Sequence, residues 1–203
     1  MDINFFNDNL EENVVKIQHK DVKLFLIKNI FDDDSFKKLQ SEIMGLMLDS
    51  ENWEKVAGQE LINRKVLKLN VSKLIDNINK NLKKSKLLNY INKIMDESYS
   101  SCSFRVWWDT ADYYIGWHFD NDKIDTSMQI YVTDIVHNHL GTAFAYVDNN
   151  YSAYNIPRDF PFLTLPYIQN TGYLLKNTNT IRHGMTMPVP DGFDRISLYF
   201  YIN

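Results

Sequence analysis

From about residue 101 onwards the side chains alternate between apolar and polar with a period of two, and this constrains the fold more than any other feature. The last segment shows it most clearly. Ile196, Leu198, Phe200 and Ile202 alternate with Arg195, Ser197, Tyr199 and Tyr201. Successive side chains of a strand point to opposite faces, so one face here is wholly apolar and the other polar and aromatic. The first is suited to a core and the second to a cavity. Segment 127–133 repeats the arrangement, with Met128, Ile130 and Val132 on one side and Gln129, Tyr131 and Thr133 on the other. Further strands are expected at 103–108, 114–119, 142–147 and 172–176. Short strands at this density, with no crossover helices between them, predict a sandwich or barrel in place of a parallel sheet.

The first hundred residues read as mixed helix and strand. A strand is expected at 22–30, followed by the capping run Asp32-Asp33-Asp34-Ser35 and then by Phe36, Leu39, Ile43 and Leu46 at helical spacing. A second amphipathic stretch carries Val71, Leu74, Ile75, Ile78 and Leu82, and a third Leu87, Leu88, Ile91, Ile94 and Met95. Lys80, Lys83, Lys84 and Lys86 gather where these two helices join and read as a solvated surface. Another strand is expected at 66–69. The expected fold class is therefore mainly β with flanking helices (α+β). One domain spans 1–203, with a helix-rich supporting part over 1–100 and a β core over 101–203.

Composition weighs against several function classes. A formal net charge of −4 provides no electrostatic drive towards nucleic acid or an anionic membrane. No apolar run is long enough to span a bilayer, and the acidic start Met1-Asp2-Ile3-Asn4 does not have the character of a signal peptide. Cys102 is the single cysteine, so no internal disulfide can form and it reads as a small apolar strand residue. The expectation is a soluble, cytoplasmic protein with a small-molecule or peptide partner and neither nucleic acid nor membrane. There is no G-x-S-x-G elbow, no Cys–His pair at a helix start and no phosphate-cradling glycine loop. Oligomeric state is not written in the sequence. Segment 148–166 carries three of the five prolines and several aromatics, and its length suits either a lid or a self-packed surface loop.

The chemistry-bearing residues lie in the β half. His118 and Asp120 are two apart, so on a strand they share a face while Phe119 turns away. His183, followed by Gly184, is placed to supply a third ligand from a distant strand edge. Two imidazoles and one carboxylate hold a divalent iron on one face and leave the opposite positions open. Arg195 and Ser197, two apart on the inner face of the last strand, can jointly hold one carboxylate. Each residue alone is weak evidence, since H-x-D arises often by chance. The ordered set carries more: H-x-D, a glycine-marked strand Gly141-Thr142-Ala143-Phe144, a distal His-Gly and a closing R-x-S. His137 and His139 form a competing H-x-H pair in what reads as an exposed turn. His19 reads as surface, and Asp122 and Asp125 as a solvated turn.

On these residues the chain resembles the iron(II)- and 2-oxoglutarate-dependent dioxygenases, in their prolyl-4-hydroxylase-like branch. The resemblance covers residues 101–203 and, more faintly, 22–48. It implies a double-stranded β-helix core of the jelly-roll or cupin-like kind. It implies Fe(II) held by His118, Asp120 and His183, with 2-oxoglutarate and O2 as co-substrates. The far carboxylate of 2-oxoglutarate is then expected on Arg195, with Ser197 and Tyr131 assisting. Many relatives carry a tyrosine about ten residues before the first ligand, where this chain has Trp108, with Tyr113 or Tyr114 close by. Prolyl hydroxylases proper often carry lysine in place of Arg195. The implied activity is hydroxylation with release of succinate and CO2. The alternatives are a non-catalytic β-helix binding module and a cupin-like metalloenzyme that does not use 2-oxoglutarate.

Overall fold

In the computed structural model, which describes residues 5–56, 63–121, 123–147 and 161–203, the period-two segments build two antiparallel sheets. The strands are β1 (Val14–Lys16), β2 (Leu24–Lys28), β3 (Trp53–Lys55), β4 (Arg64–Leu67), β5 (Cys102–Asp109), β6 (Thr126–Tyr131), β7 (Ala143–Tyr146), β8 (Leu163–Thr164), β9 (Thr171–Lys176), β10 (Ile181–Gly184) and β11 (Arg195–Ile202). The large sheet runs β1-β2-β9-β6-β11-β5-β4-β3 and the small one β10-β7-β8. An isolated antiparallel bridge between His118 and His183 adds the segment around His118 to the outer side of β10. From β5 onwards the chain passes repeatedly between the two sheets, which is the winding of a double-stranded β-helix.

Three helices cover the large sheet: α1 (Asp33–Met47), α2 (Lys73–Asn81) and α3 (Lys86–Met95). Each begins where a side-chain oxygen satisfies an orphan backbone N–H. Asp32 accepts from Ser35 N at 2.9 Å, Ser72 from Ile75 N at 3.3 Å and Ser85 from Leu88 N at 3.3 Å. Their apolar stripes meet the apolar face predicted for β11. Leu39, Ile43, Ile78, Leu82, Ile91 and Met95 share one core with Phe104, Val106, Met128, Ile130, Ile196, Leu198, Phe200 and Ile202. Each fully buried Leu or Ile contributes roughly 1.5–3 kcal/mol. Lys80, Lys83, Lys84 and Lys86 are exposed, as a solvated surface requires. No helix among the described residues is long and apolar enough to cross a membrane.

The structure differs from the sequence reading in several places. Residues 114–119 form no regular strand, only an extended path with the one bridge at His118. The strands β1, β3 and β8 correspond to no expected strand, while β10 supplies the distant strand edge expected around His183. The first hundred residues do more than support the β core, because β1 to β4 are part of the large sheet. His19 is half-buried, its ring stacked on Phe162 at 4.0 Å. His137 is also half-buried, and its backbone bridges to Tyr167, while His139 is exposed. Asp125 is exposed, whereas Asp122 and residues 57–62 and 148–160, the latter most of the anticipated loop, lie outside the described residues.

Candidate active site

The inner face of the large sheet looks across to the small sheet, and the polar residues assigned to it line the space between. His118 and His183 are brought together by their backbones. His118 N donates to His183 O and His183 N to His118 O, both at 3.0 Å. Their rings lie 4.4 Å apart between centroids. Gly184 permits this approach, since a Cβ there would stand 2.7 Å from the carbonyl oxygen of Gly116. Asp120 follows His118 and turns back, placing Oδ1 3.4 Å from His183 Nε2.

Among the described residues, His118, Asp120 and His183 are the one group of three that could hold a metal, their ligand atoms all within 4.8 Å of one another. The local chemistry fits an ion. The Nδ1–H of His118 donates to the Gly116 carbonyl at 2.9 Å, which leaves Nε2 as a lone-pair donor. Burial, followed by the proximity of His183, pulls the His118 imidazole down to about 4, so it is neutral at ordinary pH. Burial also pushes the Asp120 carboxyl up, but His183 together with the nearby Tyr199 and Ser127 hydroxyls more than offsets it, and the group stays below the usual carboxylate range. Asp120 Oδ2 is buried without a hydrogen-bond partner among the described residues, a costly state for a carboxylate oxygen unless a cation completes it.

Beside this triad lies a cleft lined by His118 and His183 and also by Arg195, Arg64, Gln129 and Thr142. Arg195 is buried at the start of β11, with Nε donating to Leu140 O at 2.8 Å and Nη1 to Asp109 Oδ2 at 2.6 Å. Burial opposes its charge, but Asp109 together with Tyr131, Tyr167 and Tyr113 outweighs that and raises its pKa above the ordinary value. Ser197, two residues on, accepts from Gln129 Nε2 at 2.9 Å. The Tyr131 hydroxyl accepts from Thr142 N at 2.7 Å and donates to Thr142 Oγ1 at 3.0 Å, so it braces β6 against the start of β7. All six residues singled out from the sequence therefore lie in or directly beside one space. Trp108 does not, because it packs on the helix side against Trp53 at 5.1 Å and donates to Asp194 at 2.6 Å. Tyr113 does, with its ring 4.2 Å from the Arg64 guanidinium.

Neither Asp109 nor the position of Arg64 is legible in the sequence. Arg64 lies just before the strand expected at 66–69 but opens β4, and its Nε and Nη2 donate to Asp109 at 2.5 and 2.9 Å. Nothing local marks this pair, which comes from the β4–β5 register placing Arg64 opposite Asp109.

No family model and no curated protein matches the sequence. Solved structures do match. A Pseudomonas putida prolyl-4-hydroxylase superposes with a TM-score of 0.59 at 13% identity, over 90% of this chain and 93% of that one. The fold is that of the 2-oxoglutarate/iron(II) oxygenases. A prolyl hydroxylase from Trichoplax adhaerens, in complex with a hypoxia inducible factor peptide fragment, gives 0.61 at 10% identity over 88% of this chain and 82% of that one. HygX from Streptomyces hygroscopicus, with nickel, 2-oxoglutarate and hygromycin B bound, gives 0.57 at 14% identity over 89% and 83%. The oxygenase fold thus extends over nearly all of this chain, including the helices and strands before residue 101.

Proposed function

We propose that this chain is an iron(II)- and 2-oxoglutarate-dependent oxygenase that hydroxylates a peptide or protein side chain or a small metabolite, with release of succinate and CO2. The observation that carries this reading is the convergence of His118, Asp120 and His183 beside a cleft that also holds Arg195. Two imidazole nitrogens and a carboxylate are the donor set for a divalent iron with open positions. When bound, such an iron supplies the redox chemistry that couples O2 and 2-oxoglutarate to oxidation of the substrate.

The chain's own groups do the rest. His118, fixed by the Gly116 carbonyl, presents Nε2, while Asp120 and His183 complete the ligand set. Arg195 holds the far carboxylate of 2-oxoglutarate through charge-assisted hydrogen bonds. Ser197 and Tyr131 assist through Gln129 and Thr142, whose side chains connect them into one network. Burial of Arg195, Ser197 and Tyr131 keeps bulk water from the carboxylate end, where it would weaken these contacts. The Trichoplax enzyme holds a peptide and HygX holds hygromycin B, so both substrate classes are compatible with the oxygenase fold. Peptide or protein hydroxylation ranks first by analogy with the prolyl hydroxylases. A reducing intracellular setting belongs to the same reading and suits a lone, buried Cys102.

The test is an anaerobic titration with Fe(II) and 2-oxoglutarate, following the visible charge-transfer band of a chelated keto acid, with His183→Ala as control. A saturable band that the variant lacks is expected. Metal binding without a band would favour a cupin-like metalloenzyme, and no metal binding at all would favour a binding module.

A further inference from the structure

Arg64, Asp109 and Arg195 stand in one row across three neighbouring strands. The register places Arg64 opposite Asp109 between β4 and β5, and Asp109 opposite Arg195 between β5 and β11. One carboxylate with no solvent exposure is thereby shared by two guanidinium groups. Both reach the same oxygen, since Asp109 Oδ2 accepts from Arg195 Nη1 at 2.6 Å and from Arg64 Nη2 at 2.9 Å. Two cations and one anion leave a surplus positive charge in a largely buried place, where an unmatched charge is costly.

Arg64 is not merely a counter-ion on the outside of this row. It lines the same cleft as Arg195, His118 and His183. Its guanidinium is pinned by the rings of Tyr113 at 4.2 Å and Trp107 at 4.8 Å. Nε and Nη2 serve Asp109, while Nη1 carries no hydrogen bond among the described residues. An oriented, partly desolvated guanidinium with a spare edge is well suited to a second carboxylate.

We propose that Arg64 is a second co-substrate-binding cation, which acts with Arg195 on the far carboxylate of 2-oxoglutarate, while Asp109 positions the two guanidinium groups beside each other. The inference rests on the functional reading above. Charge supports it independently of shape. A divalent metal with Asp120 contributes one net positive charge and the Arg64–Asp109–Arg195 row another, which together match a dianionic keto acid. With Arg64 left out, the occupied site would carry an unmatched negative charge.

Calorimetry on protein loaded with Zn(II), which does not turn over, tests this without activity. 2-Oxoglutarate is titrated into wild type, Arg64→Gln and Arg64→Lys, with a thermal melt of each to verify folding. Arg64→Gln is expected to bind about tenfold more weakly, the loss of one charge-assisted contact. Arg64→Lys, which keeps the charge but loses the fork, should bind more weakly than wild type and more tightly than Arg64→Gln. Unchanged affinity in a folded Arg64→Gln would overturn the inference alone and leave Arg64 as a structural partner of Asp109. Failure of wild type to bind 2-oxoglutarate would overturn the functional reading and this inference together. If Arg64→Gln does not fold, a crystal structure of wild type with Zn(II) and 2-oxoglutarate decides. An Arg64 nitrogen hydrogen-bonded to the far carboxylate, directly or through one water, is expected, and a carboxylate out of its reach sinks the idea.

Discussion

Asp109 has no solvent exposure, yet it holds two guanidinium groups that are themselves nearly or fully buried. Asp109→Ala removes the common partner and leaves both cations uncompensated, so a loss of about 3–5 kcal/mol is expected from urea unfolding. Asp109→Asn, which keeps the shape and can still accept from one arginine, should lose clearly less. Equal losses would mean that charge and not shape sets the cost. The site residues differ in how far the sequence shows them. His118, Asp120, Arg195 and Ser197 are legible because strand alternation links neighbours two apart on one face. Cys102 is legible too, as an apolar strand residue, and burial pushes its thiol up to about 12. Asp109 is not, because its partners are 45 and 86 residues away and meet it only through the register of three strands. A carboxylate after Trp107 and Trp108 looks like an ordinary polar strand end until that register is known.

Among the elements, β11 is the most faithful to its pattern: Ile196, Leu198, Phe200 and Ile202 are all buried against the helices. The helices are nearly as legible, since each joins an apolar stripe to a capping residue at its start. The small sheet is less so. Segment 114–119 alternates enough to suggest a strand, but among the described residues it lies at a sheet edge with a single bridge, to β10. It is held there by the His118–His183 bridge and by bonds from Met185 N to Ile115 O and Val189 N to Tyr113 O. β10 is legible only as a strand edge around His183, because the turn-like run Asn177 to Thr180 precedes it and it ends on Gly184. Gly172 marks a different constraint, because a Cβ there would collide with the backbone of Gln129 on the adjacent β6. Gly172→Ala must push β6 and β9 apart. A loss of about 3 kcal/mol, at the upper end for overpacking, is expected from denaturant melts. Because Gln129 bonds Ser197, the same variant should also weaken the 2-oxoglutarate binding proposed above. A variant as stable as wild type would show that the two strands can separate at little cost.

At the scale of the whole molecule, residue 101 is a change of sequence pattern and not a boundary in space. The part before it supplies four strands of the large sheet and all three helices, and the core joins them to β5, β6, β9 and β11. A fragment of 101–203 would expose the apolar faces of β5, β6 and β11, together with the unpaired edges of β5 and β9. It is expected to aggregate, or to lack a cooperative melt, where the full chain melts in a single step. A soluble fragment with its own sharp transition would show that the two parts fold independently. The local periodicities are visible without the structure, but this joint core depends on long-range strand pairing that no window of sequence contains. The paired backbones of His118 and His183 bear on the same issue. They belong to the short edge segment and to β10, so an ion gripped by both rings would also be a stitch through a sparsely sewn seam. Filling the site and closing that side of the barrel would then be one event.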